Sequence, residues 1–500
     1  MNAAVILIVS LVALVCGYLF YGRWLAKEWG IDPVRKTPSY EQEDGVDYYP
    51  AKAPVLMGHH FSSIAGAGPI NGPIQAAIFG WVPVMLWVLI GGIFFGSVHD
   101  FGALFASLRH KGHSIGVVIS DTMGKTAKRL FLVFAYLTLL LVVAAFASIV
   151  ASTFGTTNSA GKPLADAALA ANESTAVISV LFIFLALIFG FAVYRRGVGL
   201  GPASVVGVIG ICIVVALGLN WHPFAFTYQT WMWLLGGYIF LASVAPVWIL
   251  LQPRDYLSSF LLYFMMIVAF VGILGAAFSG NGHLDIPAFT GFTAPASNGL
   301  FTSGTLFPAL FVTIACGAIS GFHSLVASGT TAKQLSSEAD ALPIGYGAML
   351  VECALAIASL CAVGFVWDGV SGENPAFASP TAVFAGGISQ MIGTFVSSEQ
   401  VVTIAYSMLI LAVSVFCLTS LDTATRLARY MFQEFWIDDE VDDMENLPVW
   451  KKVLVNPFVS TIITVVLGIA LGMTGYAKIW PLFGAANQLL AALGLMAVCT

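Results

Sequence analysis

The sequence predicts an all-α polytopic membrane protein of about 13 transmembrane helices, built on a five-plus-five inverted repeat. Three observations predict it. Of 500 residues, 59% are hydrophobic and 9% charged, against about 25% charged in ordinary soluble domains, and mean hydropathy is +0.91. Apolar runs of about 20 residues, each able to cross a ~30 Å hydrocarbon core, recur along the chain. Gly/Pro interruptions fall inside runs that should be helical, and they do so at the start of two successive groups of five. The runs lack the roughly ten-residue alternation of an outer-membrane barrel. Without water to satisfy the backbone, helices are the structure that remains.

The first run, Ala3 to Tyr21, has no basic leader and no small-residue cleavage site, so it reads as a retained helix rather than a signal peptide. Further spans are expected at 55–80, 83–108, 129–153, 175–194, 200–219, 229–252, 256–279, 305–329, 343–367, 399–420, 453–475 and 480–500. Residues 1–54 then form an N-terminal helix and cytoplasmic loop. Residues 55–220 form the first repeat unit (spans two to six) and 221–420 the second (spans seven to eleven). Residues 421–500 hold an acidic loop and the C-terminal helices, and the apolar ending "LLAALGLMAVCT" leads us to expect a longer natural chain. Five is odd, so the two units have opposite topology. With the N-terminus outside, all of the 20 Lys and Arg except Lys162 and Lys478 face the cytoplasm, as the positive-inside rule requires. The acidic loop 437–446 falls on the same side and reads as solvated. All seven cysteines lie in apolar runs without CxxC spacing, so they are expected as buried, reduced thiols.

Depth sorts the polar residues. Counting about 1.5 Å per residue from Val55, the glycine-rich stretch "GHHFSSIAGAGPINGP" (58–73) places Gly66–Pro69 near the bilayer midplane. Pro69 and Pro73 cannot donate helical hydrogen bonds. Irregular backbone at that depth is tolerated only against protein or a water-filled cavity, and transporters hold substrate and ion at such breaks. The plainer reading is a kinked helix with glycines for close packing. Ser63, Gly66, Gly68, Asn71 and, in the seventh span, Ser243 are the candidate substrate-binding residues. At comparable depth lie His99 and Asp100 in the third span, Glu352 in the tenth, and His323, Ser324 and Ser328 in the ninth. Ser320, Ser324 and Ser328 are spaced to share one helix face. Buried ionisable groups cost a few kcal/mol and are functional candidates by default, although a single His or Ser can simply join helices. His59 and His60 are expected near the cytoplasmic interface. Asp422 and Arg426, spaced i, i+4 at the cytoplasmic end of the eleventh span, are a candidate surface gate pair. The sequence has no Walker A loop, HExxH, CxxC or GxSxG, so ATP-driven transport and enzymatic activity are not expected. No cofactor, resident metal or nucleic-acid partner is expected.

The segments "GHHFSSIAGAGPINGP", "GSVHDFGALFASLRHKGHSIG", "LQPRDYLSSFL", "SGFHSLVASGTTAKQL" and "TSLDTATRLARYMFQE" together resemble the carbon starvation protein A (CstA) family of prokaryotic inner-membrane transporters. The likeness runs from about Val55 to Gln488. It implies ion-coupled uptake of small nutrients in carbon starvation, peptides in some relatives and pyruvate in others. It also implies a leucine-transporter-like core, whose first and eighth helices frame a sodium site in several relatives. On that correspondence the Ala65 and Gly66 carbonyls meet Ser324 and Ser328, while Asp100, Glu352, His323 and His99 are the candidates for carrying a proton. Peptide or pyruvate, proton or sodium, and the oligomeric state stay open, and a nutrient sensor or a channel is the alternative function.

Overall fold

The structure, a computed structural model, describes residues 1–45, 47–164, 166–221, 223–294, 299–372, 375–377, 379–437 and 447–499. Helices dominate; a two-stranded ribbon pairs Thr293–Ala294 with Gly304–Thr305. Among the described residues, nine helices are long and apolar enough to cross a membrane, and the pair Val449–Val455 and Pro457–Gly472, bent by 62°, makes a tenth. The chain is therefore a multi-pass membrane protein. Residues 438–446 of the acidic loop lie outside the described residues.

Three expected spans are missing from that set, each for a local reason. The second is broken: Ala53–Ile64 ends, Ala65 to Ala67 turn, and Gly68–Ala76 restarts with a proline in its first turn, where the absent N–H costs nothing. The seventh, Tyr228–Val244, has 17 residues and stops ahead of Pro246. The ninth is also broken. Its first pieces, Leu306–Thr313 and Ala315–Ala318, end at Ile319 and Ser320, both extended (φ −156°, ψ 131° and φ −133°, ψ 121°), before Gly321–Val326 resumes. Ser320 is therefore not on a helix face with Ser324 and Ser328. Two short helices were not expected, Ile115–Met123 after the third span and Pro380–Gly393 after the tenth. The eleventh helix runs from Glu399 to Trp436, so residues 420 and 421 lie inside it. Cys316, Cys353, Cys361 and Cys417 are buried and unpaired as expected, while Cys16, Cys212 and Cys499 are exposed on apolar helices.

The two broken spans meet at their breaks. A Cβ on Gly68 would strike the Cys316 side chain; one on Gly72 would lie 2.8 Å from the Thr313 carbonyl oxygen, and one on Gly317 3.5 Å from Pro69 Cα. Small residues allow this approach of one backbone to another. The long fourth helix, Lys125–Phe154, packs along the eleventh, and its Phe146 reaches Gly66 at the second-span break. Gly68→Val should destabilise the protein by about 1–3 kcal/mol through overpacking, read as a lower midpoint in thermal unfolding of the detergent-purified chain. Gly201→Val, where a Cβ meets nothing within 4 Å, should leave that midpoint unchanged.

Candidate functional site

The breaks put ionisable side chains from distant parts of the chain into contact. The third span carries Asp100, whose carboxylate receives His99 Nδ1 and His323 Nδ1, each at 2.8 Å. His323 stands in the first turn of the restarted ninth span, so the break decides where its ring points. Its Nε2 faces Glu352 Oε2 of the tenth span at 3.5 Å. All four side chains are fully buried. Among the described residues, both Glu352 oxygens and the Nε2 atoms of His99 and His323 have no hydrogen-bond partner. An imidazole between two carboxylates, with open positions at one end, can take up and pass on a proton.

The last helix, Tyr476–Cys499, completes this site. A Cβ on Gly494 would lie 2.7 Å from His99 Nε2 and 3.2 Å from Ser324 Oγ. Asn487 spans the ninth-helix break: its Oδ1 accepts from the Phe322 N–H at 2.9 Å, and its Nδ2 lies 3.0 Å from Ser320 Oγ. Sequence reasoning missed Asn487. The signal was there, two adjacent amides, Asn487 and Gln488, in the otherwise apolar run "FGAANQLLAAL".

The remaining candidates divide. Ser63 lies in the first half of the second span, its hydroxyl 3.2 Å from Thr423 Oγ1 and 3.4 Å from Asp255 Oδ2. A Cβ on Gly66 would lie 2.5 Å from Phe146 Cζ and 3.1 Å from Ser420 Oγ. Asn71, past the break, accepts from Thr381 Oγ1 of the short Pro380–Gly393 helix at 3.4 Å. Ser243 is not brought to them; its hydroxyl pairs with Thr461 at 3.3 Å. Ser324 and Ser328 donate to carbonyls of their own helix, Gly321 and Ser324, at 2.7 Å each. Among the described residues neither bonds to Ala65 or Gly66. The hydroxyls at the end of that half-helix come from the eleventh span: Thr419 and Ser420 donate to the Ser62 carbonyl at 2.8 and 3.4 Å.

A second cluster corrects one expectation. His59 and His60, whose roles the sequence left open, are fully buried. His60 Nδ1 meets Thr331 Oγ1 at 2.8 Å, and His59 Nδ1 meets Asp255 Oδ2 at 2.7 Å. Arg254 donates to Asp422, to the Tyr238 hydroxyl and, at 3.2 Å, to Asp255 Oδ1. Asp422 therefore does not pair with Arg426. Arg426 turns to the Ala242 and Ala245 carbonyls and to Asp47. Both residues are buried mid-helix instead of forming a surface pair, and the guanidinium at the start of the eighth span is the one that reaches Asp422.

Apolar helices broken where they cross one another, with fully buried carboxylates and imidazoles gathered beside the breaks, define an integral membrane protein of the secondary-transporter type. The chain belongs to the family described as carbon starvation protein CstA, which it matches over residues 2–376 and 370–500. It is 34% identical to the peptide transporter CstA of Escherichia coli (strain K12), over 99% of this chain and 76% of that protein. It is 33% identical to the peptide transporter CstA of Bacillus subtilis (strain 168), over 99% and 84%. It is 32% identical to the pyruvate/proton symporter BtsT of Escherichia coli (strain K12), over 99% and 76%.

Asn487→Ala should leave the Phe322 N–H buried without an acceptor. The expected loss is about 1–3 kcal/mol of stability, visible as a lowered unfolding midpoint; an unchanged midpoint would show that the amide does not hold the break.

Proposed function

We propose that the chain is a secondary active importer of a small carboxylate-bearing nutrient, a peptide or pyruvate, driven by the proton gradient through alternating access. It would sit in the prokaryotic inner membrane with its N-terminus outside. The observation that carries this reading is the fully buried sequence His99–Asp100–His323–Glu352, held together by one broken span and its two neighbours. The relatives named as a peptide transporter and a pyruvate/proton symporter support it, since both cargoes present a carboxylate. The outer half of the second span opens at Gly68, and the positive end of its dipole at the break suits such an anion.

The inverted repeat belongs to the same proposal, with thirteen crossings when the broken spans are counted, in a register that runs from one broken helix to the other. The second and ninth spans are then equivalent, as are the third and tenth, the short helices Ile115–Met123 and Pro380–Gly393, and the long helices Lys125–Phe154 and Glu399–Trp436. The fifth and sixth spans follow in one unit, the twelfth and thirteenth in the other. Equivalent helices are an odd number of spans apart, which supports opposite topology. The first unit keeps 55–220, the second moves to 306–499, and spans seven and eight lie between them.

Uptake of labelled pyruvate and of a labelled dipeptide into proteoliposomes tests the function, with proton and sodium gradients imposed separately. Accumulation of one cargo against its own gradient, under an inward proton gradient, is expected, and this also separates a transporter from a channel or a sensor. No gradient-driven uptake of either cargo would reject the reading. Glu352→Gln should remove the dependence of uptake on the pH gradient, and an unaltered pH profile would take Glu352 out of the coupling path. Gly66→Leu should abolish uptake at unchanged expression, because its side chain has to displace Phe146 at the break.

A further inference from the structure

The second cluster carries a charge problem of its own. Arg254, Asp255 and Asp422 are each no more than 1% exposed. One guanidinium between two carboxylates leaves a formal charge of −1 when all three are ionised. Every Lys and Arg of the chain is among the described residues, so the neighbouring cations can be followed. Arg426 is engaged with the Ala242 and Ala245 carbonyls and with Asp47. Lys52, at the start of the inner half-helix, is exposed. Tyr238 contributes a hydroxyl, 2.6 Å from Asp422 Oδ2. From the other elements packed on this half-helix come Asp100, His323 and Glu352, which form their own cluster, while His60 is bound to Thr331. An uncompensated buried charge costs several kcal/mol, and His59, 2.7 Å from Asp255 Oδ2, is the remaining basic group in contact.

We propose that His59 and Asp255 form a proton-binding site separate from the Asp100–His323–Glu352 cluster. One proton beyond the fully ionised carboxylates resides on the His59 ring and makes the set His59, Arg254, Asp255 and Asp422 neutral. The site joins three spans, the inner half of the second, the start of the eighth and the eleventh. Its open atoms among the described residues that can exchange a proton, His59 Nε2 and Asp422 Oδ1, are where a proton can enter or leave. The inference does not depend on what the protein transports.

Charge balance makes it testable with the full-length chain purified in detergent, without any cargo. Asp255→Asn leaves Arg254 and Asp422 as a neutral pair and needs no extra proton, so its unfolding midpoint at neutral pH should stay close to that of the unaltered protein. His59→Gln strands the negative charge and should lower the midpoint. The double variant His59→Gln/Asp255→Asn should return to the level of Asp255→Asn alone, which includes folding where the single His59 variant does not. A His59→Gln midpoint equal to that of the unaltered protein, or a double variant no better than His59→Gln, would overturn the proposal. Nitrogen-15 NMR of histidine-labelled protein gives a second reading. The signal of one ring with both nitrogens protonated should be lost in His59→Gln and in Asp255→Asn alike; a set of such rings unchanged by either substitution would also overturn it.

Discussion

A helix interrupted inside hydrocarbon exposes amide and carbonyl groups that only the protein can satisfy, and the organisation of this molecule follows from meeting that requirement twice. At the second-span break the Phe61 carbonyl accepts from Ala65 and the Ile64 carbonyl from Gly66, each at 2.9 Å, so the turn closes partly on itself. The Ser62 carbonyl is met from outside, by Thr419 and Ser420. At the ninth-span break the Phe322 N–H is met by Asn487. The eleventh and last spans are thus committed to the breaks through their polar residues. The glycines and Cys316 where the second and ninth spans cross leave room for the two interruptions to lie together.

The charges follow from the breaks. A continuous ninth helix would carry His323 round with its neighbours; the extended residues at Ile319 and Ser320 set the phase at which the ring meets Asp100 on one side and Glu352 on the other. The first half of the second span, Ala53–Ile64, does the same for the other cluster. Two adjacent histidines leave it in different directions, His59 to the eighth span and His60 to the ninth. A half-helix tied to both sides by ionisable or hydroxyl groups can move only with changes in those bonds.

Much of this was legible in the sequence, and the legible part has a common cause. Gly66 and Pro69 announce their break through residue types that helices exclude, and Asp100, His323 and Glu352 stand out because hydrocarbon makes ionisable groups costly. The ninth-span break was not legible: its residues Ile319 and Ser320 are compatible with a helix, and no proline marks the place. Partner choice was not legible either. Asp422 and Arg426 are four residues apart, yet Arg254, 168 residues from Asp422 in the chain, is its partner. The depth count placed His59 and His60 near the interface without showing what covers them. The loop before the second span pairs with the segment after the ninth, Tyr49 with Lys333 and Ala51 with Gln334, and carries the protein surface past the histidines.

Ion pairing around Asp422 does not follow local rules, because local pairs are weak. On a solvated helix surface an i, i+4 pair such as Asp422 and Arg426 gains a few tenths of a kcal/mol, which any better-desolvated partner can outweigh. Inside the bundle the choice is made by unsatisfied bonds. Arg254 is fully buried at the start of the eighth span and finds Asp422, Tyr238 and Asp255 together. Arg426, one turn further on, meets the carbonyls at Ala242 and Ala245, where the seventh span ends ahead of Pro246. A helix terminus with free carbonyls is an electrostatic match for a cation. The arginines are therefore distributed by where the backbone stops, and the carboxylates by where the arginines are left.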